Sequence, residues 1–193
     1  MLPRQKFILS LAGYAVLLYL WVLLPFHLFE PTSTFQLPNL LWLTHLFILY
    51  IHEAGHFFFR LFGEDLYILG GSIMQVLVPF VWYLVARREE SEAAPVALFF
   101  TGVSLVDVSI YVRDAETRIL PLLGGHHSKH DWATFLGSHD MLDWGVPLGN
   151  LFFFSGLLIS LGAIVWGVML SYLLYQQARL EASLAPKAGE SSD

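Results

Sequence analysis

Apolar runs of roughly membrane-spanning length alternate with short polar links along the whole chain. The runs cover about residues 7–29, 39–62, 66–86, 93–112 and 148–175. A helix of about 20 apolar residues crosses the hydrocarbon core of a bilayer, so the pattern predicts an all-α polytopic membrane protein of about five transmembrane helices. The first run follows a short basic head, lacks a small-residue cleavage site and reads as an uncleaved span. Pro31 and Pro38 mark the first link as a loop. Gly70 and Gly71 near the start of the third run predict a bend or a close backbone approach, and residues 66–71 a short re-entrant or edge segment. Gly149, Gly156, Ser160, Ala163, Gly167 and Ser171 give the last run a small-residue face on which it closes the bundle. Residues 1–178 thus form a single helical membrane domain with a polar loop at 114–147, and 179–193 a disordered tail.

Composition supports this picture. Of the 193 residues, 56% are hydrophobic and only 13% charged, against about 25% charged in soluble domains. The net charge of −6 is spread thinly and no basic run suggests nucleic acid. There is no cysteine. A disulfide framework and thiolate ligands are therefore excluded, and any metal must be held by His, Asp or Glu. Over five spans with the N-terminus inside, Arg4, Lys6, Arg60, Arg113, Arg118 and Lys129 face the cytoplasm, and Arg87, Arg88, Arg179 and Lys187 lie outside. That excess leans towards a cytoplasmic N-terminus.

The second run carries the candidate chemistry. His52 and His56 stand one helical turn apart on one face, in the order His52-Glu53-Ala54-Gly55-His56, which sets two imidazoles to grip one metal ion. Glu53, about 100° further round the helix, can reach a water on that ion without being a ligand. Two neutral imidazoles on Zn²⁺, a water acidified by the metal and a carboxylate that takes its proton make a zinc hydrolase. Small Ala54 and Gly55 allow another segment to come close. Ionisable groups inside an apolar run are costly and mark functional sites. His45, seven residues earlier, shares the face as a helix-packing or outer group. Gln75 in the third run reads as a helix–helix hydrogen-bonding group.

A catalytic zinc takes three protein ligands and keeps one open position. In the fourth run Ser104, Asp107, Tyr111 and Asp114 form one polar stripe on an apolar helix, and Asp107 is the expected third ligand. The polar loop also offers His126, His130, Asp131 and Asp143 for that position. Trp132 and Trp144 of that loop suit the headgroup level.

The His52-Glu53-x-x-His56 motif within a membrane span, with a carboxylate on a later helix, resembles the site-2 protease family of intramembrane zinc metalloproteases over roughly residues 40–114. The resemblance implies one zinc per chain held by His52, His56 and an Asp, with Glu53 as base. The implied substrate is a membrane-protein or peptide bond, within or next to the bilayer. The Leu-Asp-Gly motif of that family has no counterpart here: Asp107 lies in Leu105-Val106-Asp107-Val108, and Leu142-Asp143-Trp144 falls in the loop.

Two further functions fit the same residues beside the peptidase. One is a membrane hydrolase of lipid amide or ester bonds, and the second a non-catalytic metal-binding membrane protein. A peptidase needs an unpaired backbone edge to hold its substrate extended, and residues 66–71 are the candidate; a helix there favours the lipid hydrolase.

Overall fold

The computed structural model describes residues 3–122 and 129–184, which are mostly helical and contain no strand. The elements are α1 (Pro3–His27), α2 (Asn39–Phe59), α3 (Glu64–Arg88), α4 (Ala94–Arg113), α5 (Asp131–Ser138) and α6 (Gly145–Leu184). α1, α3, α4 and the last helix are long and apolar enough to cross a membrane. α2 has the length, at 21 residues, but His45, His52, Glu53 and His56 dilute its apolar run.

α4 is the axis of the bundle, with 15 of its 20 residues buried. A helix buried on nearly every side needs small or well-partnered side chains, and α4 packs on α6 through glycines. A methyl group at Gly102 would meet the Gly156 carbonyl and Ser160, and one at Gly156 the Gly102 carbonyl. The expected small-residue face of the last run is thus the α4 contact, with Gly167 set against the Tyr14 ring of α1. The remaining core joins Leu20, Leu24, Leu28, Leu41, Phe99 and Phe153.

Two groups of contacts define the ends of the bundle. At one, Lys6 pairs with Glu92, the Phe7 ring stacks on Tyr175 at 4.9 Å, and Arg87 lies over Trp166. At the other, the Arg113 guanidinium donates to the Phe29 carbonyl and, at 2.6 Å, to Asn150 Oδ1. It also covers the Phe29 ring at 3.9 Å. α1, α3, α4 and α6 therefore run alternately from end to end, and both described termini lie at the Lys6 end. The expected alternation of five spans put the 87–92 link opposite the N-terminus; the Lys6–Glu92 pair puts it alongside.

Residues 66–71 are not an edge segment but the first turns of α3. Glu64 and Asp65 complement the positive helix N-terminus, and Gly63, at φ 102°, makes the sharp turn after a 3₁₀ turn at Arg60–Phe62. Gly70 is there for proximity: it faces Gly55 of α2 so closely that neither has room for a methyl group. The last helix runs on to Leu184, so residues 179–184 are ordered rather than tail; Ala, Leu, Arg and Glu are good helix formers. Trp132 is buried against Val108, Val112, Ala115 and Leu136, whereas Trp144 is exposed.

Candidate metal centre

α2 presents His52 and His56 towards α5, which carries Asp131. Nε2 of His52 and Nε2 of His56 are 3.2 Å apart, and Asp131 Oδ2 stands 3.1 Å from the first and 3.3 Å from the second. Together they offer three donor atoms all within 4.8 Å of one another.

Tautomers make this cluster more than a polar contact. Nδ1 of His52 faces Gln75 Oε1 at 2.7 Å, and Nδ1 of His56 faces the Tyr67 carbonyl at 2.8 Å. Each Nδ1 meets an acceptor and so carries a hydrogen, leaving both Nε2 lone pairs turned on each other and on a carboxylate. Three converging acceptors repel unless a metal ion, or a proton on one Nε2, sits among them. A hydrogen bond from the outer imidazole nitrogen is the usual support of a metal-bound histidine, so these residues fit a first-row divalent ion.

Asp131 is positioned by everything around it. The His130 ring caps α5, its Nδ1 accepting from the Ala133 amide at 3.2 Å. Trp132 Nε1 donates to Ser72 Oγ at 3.0 Å and docks α5 on α3. The Asp131 amide donates to the Tyr111 hydroxyl at 3.1 Å, and the Tyr111 ring stacks on His130 at 4.1 Å.

Asp107, the expected third ligand, lies one layer back. Its Oδ1 meets His45 Nδ1 at 2.6 Å and its Oδ2 accepts from Gln75 Nε2 at 3.2 Å. Gln75 Nε2 also reaches the Ser104 carbonyl at 3.4 Å, so the amide is fixed with Oε1 towards His52. Asp107 is one turn of α4 before Tyr111, the residue that meets Asp131, and from that depth it acts on His52 through Gln75. Two more loop residues stand apart from the cluster: His130 is buried 3.3 Å from Asp114 Oδ2, and Asp143 is exposed in the 3₁₀ turn Leu142–Trp144. His126 lies outside the described residues.

A cavity of about 580 Å³ opens on the cluster, lined by His45, His52, Glu53, His56, Gln75, Asp107, Tyr111 and Asp131 among others. Glu53 is exposed on that wall. Asp131 had a faint signal in the sequence, an acid in the first turn of a short apolar segment. The Tyr67 carbonyl had none, since a backbone partner leaves no side-chain pattern.

Comparison with known protein families, curated proteins and solved structures finds no match for this chain.

Proposed function

We propose that this protein is a membrane-embedded zinc hydrolase that opens amide or ester bonds of lipids, with His52, His56 and Asp131 as ligands and Glu53 as general base. The observation that carries the reading is the convergence of two Nε2 lone pairs and one carboxylate beside a carboxylate-bearing cavity. The ion, when bound, supplies a Lewis acid that polarises the acyl carbonyl and acidifies water. Glu53 takes the proton from the attacking water and returns it to the leaving nitrogen or oxygen. Asp131 and the two histidines neutralise and orient the cation; Gln75 and the Tyr67 carbonyl hold the histidines in register.

The lipid substrate is favoured over a peptide by the helical start of α3. Its backbone groups are spent within the helix, so residues 66–71 offer no edge for an extended chain. Peptide-bond cleavage is the second reading, carried by the His-Glu-x-x-His order itself. The arrangement of ends implies four crossings by α1, α3, α4 and α6, with α2 holding the site without adding a fifth.

The test is incubation of purified wild type and Glu53→Gln with a membrane lipid extract and, separately, with a single-span membrane peptide. Free fatty acid released by wild type only is the expected result. Peptide cleavage without fatty acid release would select the second reading, and neither, in protein that holds zinc, would sink both.

A further inference from the structure

A second cavity, of about 710 Å³, adjoins the first: residues 120–122, Lys129 and Thr134 line both. Its lining carries two exposed cations, Arg118 and Lys129, and no carboxylate among the described residues. The wall is built rather than loose. The buried Asp114 carboxylate accepts from the Ile119 amide at 2.8 Å, the Leu120 amide at 3.0 Å and the Thr117 hydroxyl at 2.6 Å. The Asp114 carbonyl accepts from the Arg118 amide at 2.7 Å. That turn holds Arg118 at φ 50°, an uncommon conformation for a side-chain-bearing residue and one that persists where surrounding bonds enforce it. Beyond the cations the wall is mixed, with Ile119, Leu120, Pro121 and Leu122 on one side and the polar side chains of Ser33, His130 and Thr134 among the rest.

We propose that this second cavity is the headgroup subsite of the hydrolase: it takes the phosphate of an anionic lipid while the acyl bond of the same molecule reaches the metal cavity. The inference rests on the lipid-hydrolase reading and adds the substrate class to it. A guanidinium matches phosphate as a fork and an ammonium as a point charge, and the described lining of this second cavity holds no carboxylate to compete with an incoming anion. The cavity lies at the Arg113 end of the bundle, where α1 and α4 finish and lipid phosphates would stand. The shared wall joins headgroup and acyl positions, which suits one amphiphile bridging both cavities.

Binding of dioctanoyl phosphatidate, dioctanoylglycerol and inorganic phosphate to the full chain in detergent, read by native mass spectrometry, tests this without turnover. Phosphatidate is expected to bind more tightly than the diacylglycerol. Arg118→Gln and Lys129→Gln are each expected to cut that advantage about fivefold, the equivalent of about 1 kcal/mol per cation. Equal binding of the two lipids, or an advantage that survives the double variant, overturns the proposal. Inorganic phosphate that binds as tightly as phosphatidate and displaces it would identify a free-phosphate site and overturn the lipid assignment. His56→Ala is expected to keep the phosphatidate preference. Absence of zinc from the metal-replete wild type would sink the hydrolase reading, whatever the lipid arms return.

Discussion

Oε1 of Gln75 stands 2.7 Å from Nδ1 of His52, and this contact decides which nitrogen of His52 faces the cavity. Because Asp107 fixes the Gln75 amide in turn, the two carboxylates have different predicted effects on the metal. His56→Ala and Asp131→Ala remove donors and are expected to abolish stoichiometric zinc. Gln75→Ala and Asp107→Ala remove support and are expected to keep the zinc with affinity about 10–100-fold lower. Competition against a chromophoric chelator measures both. Zinc lost in Asp107→Ala but retained in Asp131→Ala would reverse the two assignments.

Much of this arrangement was written in the chain, for identifiable reasons. Helix class and the faces of α2 follow from local spacing, which is why His52, Glu53 and His56 stand out from sequence alone. Asp107 also stands out, as the lone carboxylate of an apolar helix, and it does point inward. What spacing along one helix cannot convey is depth relative to a neighbouring one. Asp107 meets α3 at Gln75, one turn of α4 before the level of Tyr111 and Asp131, while Asp131 comes from a segment that folds back over His52 and His56 through Trp132 and Ser72. The order of the ends was likewise hidden, because it rests on the long-range pairing of Lys6 with Glu92, which a count of apolar runs does not convey.

Gly71 gives a local test of the site. A methyl group added there would overlap the His52 imidazole itself, whereas one at Gly55 would strike the Gly70 backbone. A side chain can swing aside and a backbone cannot, so the two variants should separate. Gly71→Ala is expected to lower zinc affinity at least tenfold while leaving the unfolding midpoint nearly unchanged, because the ring loses its register with Gln75. Gly55→Ala is expected to lower the midpoint as well, by separating α2 from α3. Equal zinc binding in Gly71→Ala and wild type would show that His52 does not need its present position.

The chain has no cysteine, so single-cysteine labelling can read its topology on a clean background. Glu89→Cys and Ser183→Cys are expected to react from one side of the membrane, and Glu116→Cys and Met141→Cys from the opposite side. Arg4, Lys6, Arg87, Arg88 and Arg179 belong to the first end and Arg60, Arg118 and Lys129 to the second, with Arg113 buried there. That excess predicts the first side to be cytoplasmic. Labelling of Glu89→Cys and Ser183→Cys from opposite sides would mean an odd number of crossings between them and overturn the arrangement.

Acid stability should report on Asp114. Burial pushes this carboxyl up, but hydrogen bonds with His130, the Thr117 hydroxyl and the Ile119 and Leu120 amides outweigh it, so its folded value lies below the ordinary 3.8. A carboxylate depressed on folding stabilises the protein fully above its unfolded value and loses that contribution as pH falls through the lower, folded one. Asp114→Asn keeps the size but replaces an acceptor of several donors with a group that itself donates, at an expected cost of about 2 kcal/mol near pH 7. The gap between wild type and variant should stay level from pH 7 to about pH 5 and close only below about pH 4, as the wild-type carboxyl takes up its proton. Unfolding midpoints of both proteins in detergent at three pH values measure it. A gap that began to close well above pH 5 would mean a raised carboxyl, and the turn that carries Arg118 would then be held by a neutral acid rather than by a carboxylate.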